Sequence, residues 1–115
     1  MIRAEVFEDQ GQIRRFLISG HAGFARVGND IVCAAVSALV YNAINSCEQL
    51  LNIVLDVEDR GDKVICKVPE RVLNSSDVQL LLHSMVFGIE QTADSYPKFV
   101  KIRRHTAAVN TEFKE

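Results

Sequence analysis

Apolar residues in this chain recur at every second position, then at every third or fourth, and the switch from one period to the other happens twice. Period two marks a strand with one buried face, and a three-to-four step marks a helix with one buried stripe. The segments IRAEVFED and IRRFLISG are short, rich in β-branched and aromatic residues, and joined through the polar EDQG, so they read as a hairpin whose tight turn uses Gly11. From Asp30 onward, Val32, Val36, Leu39 or Val40, Ala43, Cys47 and Leu50 fall on one helical stripe, which predicts a helix over residues 31–51, with Asp30 as its cap. Alternation returns at Ile53, Leu55 and Val57, turns at Arg60 and Gly61, continues through Val64, Cys66 and Val68, and stops at Pro69. The capping residues Asn74 to Asp77 then open a second stripe of Val78, Leu82, Met85, Ile89 and Ala93, ending near Tyr96 and Pro97. Residues 99–104 form a last strand before the tail HTAAVNTEFKE. A striped helix must cover a one-faced sheet. The expected fold is therefore α+β, a compact layered domain of order β-β-α-β-β-α-β with two helices on an antiparallel or mixed sheet.

A length of 115 residues fits a single domain spanning residues 1–115, and no repeat, low-complexity segment or Gly/Ser linker divides it. With a net charge of -2, the composition gives no global reason to expect nucleic acid as a partner. The charge-free run over residues 31–47 is interrupted by Ser37, Asn42, Asn45 and Ser46, and is shorter than the roughly 20 apolar residues of a membrane span, so no membrane association is expected. The opening MIRAEVFED has no apolar signal core, which makes the cytoplasm the expected compartment. Cys33, Cys47 and Cys66 are odd in number and form no CxxC pair, in keeping with free thiols in a reducing compartment.

The stretch SGHAGFARVGNDIVCAAVSALV sets His21 and Cys33 twelve residues apart, across a glycine-marked loop. A nucleophilic cysteine needs a base in reach, or an imidazolium that stabilises its thiolate, and histidine serves either purpose near neutral pH. If Asp30 caps the helix, Cys33 stands in the first turn, where unpaired N–H groups and the helix dipole favour a thiolate and provide candidate oxyanion donors. The spacing alone fits equally a small buried cysteine and a structural histidine. Gly23 and Gly28 bracket GFARVG, which reads either as a lid over the pair or as a plain connector.

The string GHA at Gly20 to Ala22, followed after five residues by GNDIVCAAVSAL at Gly28 to Leu39, resembles the ribosomal-processing cysteine protease family, known as Prp. The chain length, the two-strand opening and a second helix just before a basic last strand are also similar to that family. The resemblance implies a cytoplasmic bacterial peptidase, generally a homodimer and needing no cofactor. Its implied substrate is the short N-terminal extension of large-subunit ribosomal protein number twenty-seven, cut after an aromatic residue. By residue-for-residue matching, Cys33 is the implied nucleophile and His21 its proton donor and acceptor. Gly20, Ala22, Gly28, Asp30, Ala34 and Ser37 are implied as supporting or substrate-binding residues, and Gly23, Phe24, Arg26, Val27 and Asn29 as a mobile loop. Where many members carry an acidic residue and then an aromatic before the glycine, this chain has Arg26 and Val27.

Several assignments stay open on the residues themselves. Asp30 suits a cap or an orienting partner of His21 or Ser37, and Ala34 and Ala35 suit either substrate approach or close packing. Cys47 and Cys66 fall on core stripes, whereas His83 lies beside Leu82 and His105 in the tail, with no catalytic role assigned to either. Asp56, Glu58, Asp59 and Asp62 crowd the second hairpin and could steer a basic substrate, or simply form a solvated face. Zinc chemistry lacks the recurrent ligand spacing that such sites need, and no metal is expected. The alternatives to a peptidase are a non-enzymatic ribosome-assembly or RNA-binding module using Lys98, Lys101, Arg103 and Arg104, and a redox-sensing thiol.

Overall fold

The computed structural model describes residues 1–20 and 27–106, with residues 27–30 described by their backbone. Strands β1 (Ile2–Asp9) and β2 (Gln12–Ser19) form the opening hairpin, closed by Gln10 and Gly11, both at positive φ. That pair of left-handed residues matches the twist of the flanking strands, which is why Gly11 is needed there. Helix α1 (Val27–Leu51) follows, then β3 (Asp56–Asp59), β4 (Lys63–Lys67), a 3-10 turn at Glu70–Val72, α2 (Ser76–Ser95) and β5 (Val100–Thr106). The strands form one five-stranded sheet in the order β3-β4-β2-β1-β5. Among the described residues only the β1–β5 pair is parallel, so the sheet is mixed.

Both helices cover one face of this sheet. The α1 stripe of Val32, Val36, Val40, Ala43 and Cys47 and the α2 stripe of Val78, Leu82, Met85 and Ile89 meet Ile2, Ala4, Val6, Phe16, Ile18 and Cys66 in a single buried core. Burying side chains of this size contributes about 1.5–3 kcal/mol each, so the two stripes and the sheet hold one another in place. Residues 31–51 reach the length and mean hydropathy of a membrane span, yet their most apolar stripe is spent on this core.

One buried polar residue fastens α2 to the sheet. Gln79 Oε1 accepts from Ile13 N–H at 2.8 Å, and its Nε2 donates to the carbonyls of Ile13 and Leu73 at 3.1 and 3.0 Å. His83 Nε2 donates to the Gly11 carbonyl at 2.9 Å, tying the same helix to the first turn. At its N-terminus Ser75 accepts from the Val78 N–H, within the predicted capping run.

The structure moves several expected boundaries. Helix α1 begins at Val27, four residues before the predicted start, so Val27 and Asn29, expected in the mobile loop, are helical, and Asp30 lies inside the helix instead of capping it. Strand β3 begins only at Asp56 because Asn52, at φ 58, ends α1 in the left-handed region and Ile53 N–H bonds back to the Cys47 carbonyl. His105 belongs to β5 and not to the tail: it pairs with Phe7 across the parallel ladder, stacks on its ring at 4.7 Å and meets the Glu5 carboxylate. Arg104, on the helix-covered face, pairs with Glu8 and Glu90, so one of the four cations of the basic stretch already has intramolecular partners.

Candidate active site

Cys33 is half-buried on α1, packed against the core beside the fully buried Val32. On a helix, positions 33, 36, 37, 40 and 41 share one face over more than two turns. Here Cys33, Val36, Ser37, Val40 and Tyr41 line a cavity of about 220 Å³ together with Ile18 of β2 and Asp59, Gly61 and Val64 of the second hairpin. The walls divide by chemistry. Ile18, Val36, Val40 and Val64 are buried and form an apolar floor. Cys33, Ser37, Tyr41, Asp59 and Gly61 supply the polar or reactive groups around it.

At the end away from Cys33, Tyr41 O–H donates to Asp59 Oδ2 at 2.7 Å, and Gly61 N–H donates to Asp59 Oδ1 at 2.9 Å. The second contact is a short-range aspartate turn that lets Gly61 take its positive φ of 89°. Donation to the Asp59 carboxylate, with partial burial, pushes the Tyr41 phenol above its ordinary range. On the other face of the hairpin, Glu58 meets Arg60 at 2.7 Å, a contact that holds its carboxyl below the usual range.

The three thiols differ sharply in environment. Cys47 and Cys66 are both 0% exposed. Burial raises the Cys47 thiol, and burial reinforced by Cys47 and Asp56 pushes Cys66 up to about 12. A thiolate is the reactive form, so these two are inert core thiols, as their placement on the apolar stripes predicts. Cys33, half-buried, is the one that borders a cavity.

Gly20 explains how the chain leaves β2 toward His21. Its φ is 78°, and a Cβ there would lie 2.3 Å from the Met1 carbonyl oxygen, so only glycine fits between this exit and the first residue of the chain. His21 itself lies outside the described residues, as do Ala22, Gly23, Phe24 and Arg26 of the loop. Gly28 is in the first turn of α1 with Val27, Asn29 and Asp30. Cys33 is the seventh helical residue, past the first four whose N–H groups lack helical partners, which removes the expected first-turn oxyanion donors from its own amide. Ser37 lines the cavity. Ala34 is exposed and not among the lining residues, and Ala35 lies on the opposite side, in a shallow groove with Gly88 and Thr92 of α2. Among the described residues no three His, Cys, Asp or Glu side chains gather as a metal site would require.

Tyr41 is not among the candidate residues read in the sequence, and Asp59 enters there only as one of the second-hairpin acids that could steer a basic substrate. The signal for Tyr41 is its spacing, eight residues after Cys33 and four after Ser37 on one helical face. Asp59 carries no such local signal, because its approach depends on the pairing of β3 with β4 and of β4 with β2.

Comparisons with known proteins agree with this arrangement. The family model for cysteine protease Prp matches residues 1–101. The ribosomal processing cysteine protease Prp of Bacillus subtilis is 32% identical over 108 residues, covering 89% of this chain and 96% of its own length. The crystal structure of SMU.848 from Streptococcus mutans, 31% identical, superposes with a TM-score of 0.87 over 93% of this chain and 96% of that one. An essential ribosomal processing protease Prp from Staphylococcus aureus, crystallised with a substrate peptide, shares the fold at a TM-score of 0.81 and 23% identity, over 90% of this chain and 99% of that one. A mixed five-stranded sheet under two helices, a single accessible thiol beside a half-open cavity and these matches along nearly the whole chain carry one conclusion: this chain belongs to the Prp family of cysteine proteases.

Proposed function

We propose that this protease removes the short N-terminal extension of large-subunit ribosomal protein number twenty-seven, cutting after an aromatic residue, with Cys33 as nucleophile and His21 as its acid and base. The observation that carries the reading is the setting of Cys33: of three thiols it alone is not fully buried, and it borders an apolar-floored cavity suited to a peptide side chain. In this reaction His21 holds the proton of the Cys33 thiol, and the thiolate attacks the carbonyl carbon of the scissile bond. The tetrahedral oxyanion collapses, the C–N bond breaks, and the amine leaves with the proton from His21, giving a thioester on Cys33. Water, deprotonated by His21, then attacks the thioester; the C–S bond breaks and the excised extension leaves as a carboxylate, the shortened ribosomal protein having already left as the amine, and the proton on His21 returns to the Cys33 thiolate. No cofactor enters any step. Names carried by its relatives support the ribosomal substrate, and one of them was crystallised with a substrate peptide and with a covalently linked product peptide. We place the enzyme in the cytoplasm, where free thiols persist, and working as a homodimer with no membrane or nucleic-acid partner in the cut itself.

The test mixes purified protein with the extended ribosomal protein and follows cleavage by mass spectrometry, for wild type, Cys33→Ala and His21→Ala. Cleavage after the aromatic end of the extension, lost in both folded variants, is the expected result. An intact substrate, or equal cutting by the variants, overturns the proposal.

A further inference from the structure

We propose that Tyr41 is a specificity-determining residue: its hydrogen bond to Asp59 closes the far end of the cavity at Cys33 and so limits the length of the substrate side chain accepted beside the scissile bond. The inference rests on the reading of Cys33 as nucleophile. Its geometry comes from the helix. Eight residues separate Cys33 from Tyr41, which at 1.5 Å per residue sets the ring about 12 Å along α1 from the thiol. Between them Val36, Ser37 and Val40 form one side of the slot, and Ile18 and Val64 the other. A side chain extending from a carbonyl under attack at Cys33 would run down this apolar floor toward the phenol.

What stops it is a cross-brace between two separate elements. Tyr41 belongs to α1 and Asp59 to the end of the edge strand β3, and their 2.7 Å hydrogen bond spans the slot. Asp59 is itself fixed by the Gly61 N–H at 2.9 Å, so the hairpin tip and the ring constrain one another. With the far end so defined, a volume of about 220 Å³ suits one large apolar side chain and excludes a markedly longer one. A pocket wall of this kind discriminates by steric fit, where a change of a methylene group or two is worth about ten- to two-hundredfold.

The test uses two peptides that differ only in the residue on the acyl side of the scissile bond, phenylalanine or the longer biphenylalanine, with wild type, Tyr41→Phe and Tyr41→Ala. The readout is the ratio of kcat/KM for the long peptide to that for the short one, with the iodoacetamide labelling rate of Cys33 as a check that the thiol is undisturbed. Removing the ring should raise the ratio by about tenfold through a lower KM for the long peptide, and removing only the hydroxyl by about two- to threefold. If both peptides lose activity by the same factor in both variants, Tyr41 is merely structural and the proposal falls. If wild type cuts neither peptide nor the authentic extension, the protease reading fails first and carries this one with it.

Discussion

The two helices rest on the same sheet and do different work. Helix α2 is fastened at several points: Gln79 bonds the backbone of β2 and of the segment before the helix, His83 holds the first turn, and Ser75 caps its start. Helix α1 buries one stripe as completely, but the adjacent face from Cys33 to Tyr41 is left against a cavity. A rigid side and an open side in one small domain are what a protease of this size requires, since a reacting thiol must be held firmly and still be reached by a peptide.

That contrast is broken most severely at Gln79. Gln79→Ala leaves the buried N–H and C=O of Ile13 without partners, and should cost about 2–4 kcal/mol in urea unfolding while the folded fraction keeps its kcat/KM. A variant that unfolds normally but loses activity would show that α2 is part of the chemistry. Gly20→Ala comes next. It forces a side chain into the left-handed region and against the Met1 carbonyl, with an expected loss of about 2 kcal/mol and a fall in activity, because the residue that follows is His21. Unchanged stability and activity there would detach the exit of β2 from the site.

A third test is alkaline titration of the core. Cys66 is neutral in the folded state up to about 12, whereas in the unfolded chain it ionises near the ordinary thiol value of 9.0. Between those values the unfolded state binds fewer protons, so folding stability should fall as pH rises, by about 1.4 kcal/mol per pH unit from this group. The raised Tyr41 and Cys47 groups act in the same direction. Denaturant melts of wild type and Cys66→Ala from pH 8 upward should diverge above pH 9, with the variant losing stability less steeply. Parallel curves would mean that the thiol is not sealed in the core. The smallest effect on stability belongs to the open side. Ser37→Val should leave stability within about 0.5 kcal/mol, since Ser37 is exposed, but narrow the slot and lower kcat/KM by about tenfold.

Much of this division was legible in the sequence. The stripes of both helices, the Gly11 turn, the order of elements and the core placement of Cys47 and Cys66 follow from local periodicity and turn chemistry. The start of α1 did not, because Asp30 is a strong capping residue and Gly28 a weak helix former, so the local signal puts the boundary at Asp30 whereas the helix begins at Val27. His105 read as tail because its partners, Glu5 and Phe7, are a hundred residues away in the chain. Gln79 carries no local signal of its three backbone contacts, because two of them are to Ile13 of β2, 66 residues away, and the third is to Leu73 in the segment before the helix. Tyr41 and Asp59 meet only once the strand order is known, which no local pattern encodes.

The most direct test of the central claim is chemical trapping with a peptide electrophile, such as a chloromethyl ketone ending in phenylalanine, followed by mass spectrometric mapping of the modified cysteine. The account predicts one equivalent of label, confined to Cys33, with activity lost in proportion to labelling. Label on Cys47 or Cys66, or complete modification of Cys33 with cleavage intact, would contradict it.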